Sequence, residues 1–133
     1  MDEDKIQARR REQDEEATRR RASILGLQYL DGREFEETLP LLKGVLTIEE
    51  MYKGRLVPLA FNEEDQSYRF GVTSQTSESL MKKMQSQYVE NGKRIFFFLI
   101  SGSAFRSIML RFDPPKKVIY ANIEIAKEGD SDT

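Results

Sequence analysis

Two strand-like segments joined by one amphipathic helix constrain the fold of this chain most strongly. Residues 67–73 alternate apolar and polar side chains, and residues 94–100, RIFFFLI, are apolar at nearly every position. An apolar stripe at helical spacing lies between them: Leu80, Met81, Met84 and Tyr88. Because the joints are short, this order predicts a βαβ unit with parallel strands and a right-handed crossover. We expect residues 94–100 to form a central strand covered on both faces.

A hairpin partner precedes this unit and a second helix follows it. Residues 55–61, RLVPLAF, are predicted to be a strand that pairs antiparallel with 67–73. Pro58 has no N–H to donate, so this strand should lie at a sheet edge or carry a bulge. The following helix has an apolar stripe with the spacing of one helix face: Phe105, Ile108, Met109 and Phe112. Residues 116–125 are predicted to form a last strand.

Two further helices are predicted before the hairpin. Residues 4–23 contain no Gly or Pro, and opposite charges recur three or four positions apart, which is typical of a solvated helix. Gly26 can adopt a positive φ and is expected to end this helix. Thr47 and Glu50 have the spacing of a capping box, and Gly54 is expected to lie just beyond the short helix that they begin.

These patterns together predict an α+β or α/β chain. A small mixed sheet, made of the antiparallel hairpin and the βαβ unit, packs with two amphipathic helices and is preceded by a charged N-terminal helix. The length of 133 residues leaves room for one domain with tails. We expect a charged helical extension over residues 1–22, a small α/β adaptor domain over 23–126 and the start of a flexible linker over 127–133.

The composition removes several kinds of catalytic and metal site. The chain has neither cysteine nor histidine, so it lacks disulfides, thiolate ligands and the commonest catalytic base. No glycine-rich phosphate loop occurs. Residues 101–103, Ser-Gly-Ser, follow the central strand and begin a helix. The free N–H groups at such a helix start can bind an anion. The favoured interpretation is that these serines cap the helix. Residues 96–98, three phenylalanines, are interpreted as core rather than as base-stacking groups. We expect no cofactor and no metal.

Two arginine triplets raise the question of an anionic partner. Residues 9–11 and 19–21 lie about three helical turns apart, which places them on neighbouring parts of one helix surface. Such a stripe could bind phosphate backbones or an anionic membrane surface. Residues 1–23, however, carry as many acids as bases, and the whole chain has a net charge of −2. A solvated helix or a protein-docking arm is therefore favoured, with these docking candidates: Arg9, Arg10, Arg19, Arg20 and Tyr29.

Several stretches resemble a known family. Residues 20–31, RRASILGLQYLD, are similar to the R-x-x-x-L-G-L-P-[FY]-V-D segment that begins the N-terminal domain of the assembly ATPases of type II secretion and type IV pili. Gln28 stands where the family often has Pro. Residues 55–59, RLVPL, resemble the strand R-x-V-P-L of that domain, and residues 105–125 resemble its end. The resemblance covers roughly residues 19–133.

The resemblance implies a non-catalytic adaptor. In the family, this domain docks a hexameric motor to the cytoplasmic part of an inner-membrane assembly protein, and hydrolysis occurs in the following domain. The expected partners are thus such a protein and an ATPase motor domain in the same longer chain, unless the chain is a stand-alone relative. We expect a cytoplasmic protein, peripheral at the inner membrane, with no nucleic-acid partner and no membrane insertion. The family's repeated cyclic di-GMP motif has no match here, so that ligand is not carried over.

The alternative is a nucleotide or nucleic-acid binding regulatory module that uses the N-terminal arginines. An enzyme in its own right is the least favoured interpretation, because no nucleophile, base and orienting group can be assembled from the sequence.

Overall fold

The computed structural model describes residues 2–116, and this range contains four α-helices and four strands. A short 3-10 helix, Gly32–Glu34, follows the first strand. The elements in chain order are α1 (Glu3–Leu25), β1 (Gln28–Tyr29), α2 (Ile48–Gly54), β2 (Leu56–Asn62), β3 (Ser67–Val72), α3 (Glu78–Glu90), β4 (Arg94–Leu99) and α4 (Gly102–Phe112). This is the predicted α+β fold with a mixed sheet and a charged N-terminal helix.

The sheet has the strand order β1-β4-β3-β2. β3 and β4 run parallel, with Ser67 opposite Arg94 and Val72 opposite Leu99, and α3 connects them. The βαβ unit is therefore confirmed. β1 pairs in parallel with the end of β4, Gln28 lying opposite Phe98. The sequence analysis missed β1, because a strand of two residues is too short to show a periodic pattern.

β2 forms the predicted antiparallel hairpin with β3 and lies at one edge of the sheet. The register shifts between Pro58 and Ala60, which marks a bulge. Both expectations for Pro58 are confirmed. On an edge strand, proline can lack its N–H without breaking a hydrogen bond to a neighbouring strand.

Two apolar layers cover the sheet, one on each face. The first, which we call the α3 face, joins α3 and the end of α1 to these buried strand residues: Phe70, Val72, Ile95 and Leu99. The second, which we call the α4 face, joins α4 to a different set: Val57, Leu59 and Ile100. The predicted stripes of both helices point inward, with Met84 buried on α3 and Phe105, Ile108 and Met109 buried on α4.

The α4 face is only partly covered, which corrects the expectation for the central strand. Phe96, Phe98 and Ile100 alternate with the α3-face residues and so point to the α4 face. Ile100 is buried, but Phe96 is 41% exposed and Phe98 is half-buried. Phe96 lines an open hollow at the protein surface together with Arg94 and the α3 residue Val89. The core interpretation of Phe96 is therefore wrong.

Two predicted segments lie outside the described residues. They are the last strand beyond Lys116, up to residue 125, and the linker over 127–133.

α1 and α2 end differently from one another. α1 ends as expected, at Gly26 with φ +72°. Gly54, in contrast, is the last helical residue of α2, and Arg55 takes the left-handed conformation at φ +58°. Glycine is needed at 54 for space, because a Cβ there would lie 2.5 Å from Leu56 Cδ2 and 2.7 Å from Leu80 Cδ2. The predicted role of Gly54 beyond the helix end is thus wrong, and the capping box of Thr47 and Glu50 is confirmed.

We expect Gly54→Ala to lower the free energy of unfolding by about 1–3 kcal/mol, because the added methyl overpacks the contact between α2 and α3. Urea unfolding followed by circular dichroism measures this change. Gly102→Ala is the matched control, since its Cβ would meet only the flexible Arg106 guanidinium at 3.3 Å. A Gly54→Ala protein as stable as the Gly102→Ala protein would contradict this explanation.

Candidate functional site

A buried carboxylate joins α1 to the sheet. Glu15 is 1% exposed, and its Oε2 accepts hydrogen bonds from Arg11 Nε at 2.7 Å and Ser101 Oγ at 2.6 Å. Its Oε1 accepts from the Tyr29 hydroxyl at 2.5 Å. Tyr29 ends β1 and Ser101 follows β4, so this one carboxylate contacts the ends of two neighbouring strands. Three donors meet the requirement that a buried charge be hydrogen-bonded.

A second carboxylate of α1 occupies the N-terminus of α4. Asp14 Oδ2 accepts hydrogen bonds from the Ser103 backbone N–H at 3.1 Å and from Ser103 Oγ. Ser101 Oγ accepts from the Ala104 N–H at 3.0 Å, which confirms its role as the cap. The anion that complements this helix terminus is therefore the chain's own Asp14. Ser101 is buried and its hydroxyl donates to Glu15, so the arrangement fixes a helix rather than presenting a nucleophile.

A bidentate ion pair makes a third connection between α1 and the domain. The two terminal nitrogens of Arg11 donate to Glu36 Oε1 and Oε2, at 2.6 Å and 3.1 Å. Hydrogen bonding to Glu36 raises the pKa of Arg11, although burial opposes it, and Glu15 adds to the effect. We call the whole set the Glu15 cluster, and its members are Arg11, Asp14, Glu15, Tyr29, Glu36, Ser101 and Ser103.

The docked side of α1 is polar because the helix offers almost no apolar surface. Its only buried apolar residue is Ala22. The sequence analysis treated this helix as solvated, and here the structure differs. Apolar periodicity cannot reveal a face that is buried through charges, and Ser101, the partner of Glu15, lies 86 positions away in the chain. The available local signal was the i, i+4 spacing of Arg11 and Glu15.

The five predicted docking residues fall into two groups. Arg19 lies over the ring of Tyr29, with its guanidinium carbon 5.4 Å from the ring centroid, and it also pairs with Glu16. The Tyr29 hydroxyl is committed to Glu15, so a partner can reach only the rest of its ring. Arg9, Arg10 and Arg20 are exposed on α1 and do not come together with Tyr29.

The inward turn of Asp14 and Glu15 makes the exposed side of α1 basic. Between residues 9 and 21, Arg11 is paired within the Glu15 cluster, and Glu12 and Glu16 are the acids that remain exposed. Five exposed arginines lie along this part of α1, and we call them the basic face of α1: Arg9, Arg10, Arg19, Arg20 and Arg21. At about 100° per residue, four of them point away from the sheet, and Arg19 lies to one side, over the Tyr29 ring. The equal numbers of acids and bases in the sequence therefore do not describe the surface. Ile24, 84% exposed, and Leu25 add apolar area at the end of the helix.

Comparison with protein-family models finds no match, and comparisons with curated proteins and with solved structures find none either. The resemblance to the assembly ATPases therefore rests on the sequence motifs alone. Across residues 2–116, none of the helices combines the length and the apolar character needed to cross a bilayer. The same range contains no group of three acidic, histidine or cysteine side chains arranged to hold a metal ion.

We expect Glu15→Gln to lower the free energy of unfolding by about 1–3 kcal/mol, since a neutral amide replaces a charged acceptor of three hydrogen bonds and brings donors of its own. Urea unfolding measures the loss, and amide hydrogen exchange in α1 should accelerate in parallel. Glu16→Gln removes the same charge from an exposed pair and should change the free energy by less than about 1 kcal/mol. Equal losses in the two proteins would show that Glu15 does not hold the helix.

We expect Tyr29 to keep its proton above the pH at which tyrosine ordinarily ionises. Burial raises the pKa of its hydroxyl, and donation to Glu15 raises it further. Wild type and Tyr29→Phe should therefore show nearly equal phenolate absorbance at about pH 11, one unit above the ordinary value. In guanidinium chloride the two proteins should differ by one tyrosine at that pH. A full one-tyrosine difference in the folded proteins would contradict the buried hydrogen bond.

The same shift ties stability to alkaline pH. Because the pKa of Tyr29 is raised on folding, its contribution to stability is complete below the ordinary tyrosine value near 10 and declines as the pH rises above it. Unfolding free energies of wild type should fall more steeply than those of Tyr29→Phe over this alkaline range.

Proposed function

We propose that this chain is the non-catalytic N-terminal adaptor domain of a type II secretion or type IV pilus assembly ATPase. In this role it docks the motor to the cytoplasmic part of an inner-membrane assembly protein. The protein would then be cytoplasmic and peripheral at the inner membrane through that partner. The motif resemblance suggests the family, and the basic face of α1 is the observation that carries the docking role.

The chemistry of the basic face suggests an acidic protein partner. Arginine guanidinium groups pair with carboxylates through two parallel hydrogen bonds and remain charged at any physiological pH. Ile24 and Leu25 supply adjoining apolar area, and specific interfaces combine such area with a charged rim. The Glu15 cluster holds α1 against the sheet, so the arginine backbone positions are fixed before binding and less conformational entropy is lost.

A second candidate is favoured by the same surface. Five exposed arginines on one helix are also suited to phosphate groups, so the basic face could serve a nucleotide or nucleic-acid binding regulatory module. The two functions differ in their response to salt. Binding to phosphate backbones weakens steeply and log-linearly with salt, whereas a protein interface with apolar contacts weakens less.

We expect Arg9→Glu with Arg20→Glu to weaken binding to the partner at least about tenfold, because both side chains lie on the outward side of α1 and carboxylates would repel an acidic surface. Titration calorimetry with purified cytoplasmic domains of inner-membrane assembly proteins from the same genome measures the affinity. Lys82→Glu with Lys83→Glu on α3 makes the same charge change on another exposed helix and should bind normally.

The outcomes of this experiment separate the two functions. The regulatory module would replace the adaptor if two results are found together. None of these domains binds the wild type, and the wild type binds DNA or a nucleotide in a salt-sensitive way that the Arg9 and Arg20 changes abolish. An equal loss in the α3 control would show that net charge alone governs the interaction.

A further inference from the structure

One edge of β4 is covered by another strand only in part. On its other edge, β3 pairs with the whole of β4, from Arg94 to Leu99. On this edge, β1 reaches only Phe98 and Leu99. The chain turns away before β1, because the Leu27 N–H donates back to a carbonyl oxygen near the end of α1 at 3.0 Å. Within residues 2–116, residues 94–97 therefore have no neighbouring strand on this side, and we call them the free edge of β4.

The free edge of β4 presents backbone hydrogen-bonding groups. In a parallel ladder, the N–H and C=O of one residue point to the same edge, and the next residue points to the opposite edge. The Arg94 N–H donates to the Gln66 carbonyl oxygen at 2.9 Å, so Arg94 and every second residue after it point to β3. Ile95 and Phe97 therefore point to the free edge. In the described part of the chain, the Ile95 N–H, the Ile95 C=O and the Phe97 N–H have no hydrogen-bond partner.

The hollow that exposes Phe96 lies along this free edge. Its volume is about 490 Å³. The residues that line it come from α3 and from the first half of β4: Gln85, Ser86, Val89, Arg94, Ile95 and Phe96. α3 covers one face of the sheet, whereas the Phe96 side chain points to the other face. A hollow that contacts both must pass around an edge of β4, and β3 occupies the opposite edge. A segment bound in the hollow would therefore meet the backbone groups of the free edge.

The side chains beside the free edge are apolar on one face and both apolar and basic on the other. Val89, on the α3 face, is 65% exposed. On the α4 face, Phe96 lies between two exposed bases, Arg94 on its own strand and Arg69 opposite it on β3. A second copy paired through the same edge would bring another such pair of arginines to this surface. Charge therefore favours a different chain that carries carboxylates.

We propose that the free edge of β4 binds an extended segment of a partner protein as an additional strand, and that apolar and acidic residues alternate in this segment. Its backbone pairs with the free groups of Ile95 and Phe97. Side chains opposite these two residues point to the α3 face and contact Val89. The side chain opposite Phe96 points to the α4 face, where a carboxylate meets Arg94. This site goes beyond the proposed adaptor function and uses none of the arginines of the basic face of α1.

Amide hydrogen exchange of the full chain tests whether the edge is free. The Ile95 and Phe97 N–H groups should exchange at least about tenfold faster than those of Phe96 and Phe98, which point to β3. Equal protection of all four at every protein concentration would show that the chain itself covers the edge. Protection of Ile95 and Phe97 that increases with concentration would assign the edge to a second copy. Either result would overturn the proposal.

A synthetic peptide of alternating valine and glutamate, about seven residues long, is the probe for binding. It should shift the amide resonances of Ile95 and Phe97 in a saturable titration and should slow their exchange. The same peptide with lysine in place of glutamate should bind at least about tenfold more weakly, because it would meet Arg94 with like charges. The proposal would be wrong if the glutamate peptide gave no saturable shift, or if both peptides bound equally.

Two N-methylated forms of the glutamate peptide separate strand pairing from a looser contact. The N–H groups of an extended chain point alternately to its two edges, so methyl groups on every second residue block one edge only. One form should lose at least about tenfold in affinity, and the form methylated at the other residues should bind like the parent peptide. The form that loses affinity gives the direction of the added strand. Loss in both forms, or in neither, would contradict strand pairing.

Substitutions beside the edge place the peptide on the protein. Val89→Glu with Arg94→Glu removes the apolar contact and the base, and should weaken binding of the glutamate peptide at least about tenfold. Leu110→Glu with Arg106→Glu is the matched control, since it makes the same charge change at exposed residues of α4 and should leave binding close to wild type. Equal losses in the two proteins would show that net charge, and not the edge, governs binding.

Discussion

The position of α1 depends on the carboxylate of Glu15. This one side chain receives hydrogen bonds from its own helix, from the end of β1 and from the residue that caps α4. An unpaired charge at that depth would cost several kcal/mol, so the three donors and the carboxylate require one another. Because α1 buries almost no apolar surface, its position rests on this carboxylate together with the Asp14 contact to α4 and the Arg11–Glu36 ion pair.

The same docking decides which charges the protein shows to its surroundings. Asp14 and Glu15 point inward, where α4 and β1 supply donors. Arg11 joins them, whereas Arg9, Arg10, Arg20 and Arg21 point into solvent. A helix whose acids and bases balance in the sequence thus becomes a helix with a basic outer face. The proposed adaptor role and its phosphate-binding alternative both depend on this redistribution of charge, and neither could be argued from net charge.

Apolar periodicity predicted most of the fold, because burial in a core leaves a repeating pattern. The stripe that includes Met84 on α3 and the one that includes Phe105 on α4 show this, and Pro58 shows that one residue can place a strand at an edge. Three features had no such signal. β1 is too short to show a period, and the space at Gly54 is limited by how Leu56 and Leu80 pack in three dimensions. Phe96 resembles a core residue because a sequence does not show which end of a strand a helix covers.

Within residues 2–116, the sequence by itself determined the four α-helices, the three longer strands and the pairing of the hairpin and βαβ unit, since these follow from local periodicity, short connections and chain handedness. Only the tertiary structure decided that a charged helix docks through inward-facing carboxylates, that its exposed side is basic, and that residues 2–116 leave Phe96 on one sheet face partly exposed. Those properties depend on contacts between residues far apart in the chain, such as Glu15 with Ser101. A polar side chain has the same appearance in a sequence whether its partner is water or another part of the protein.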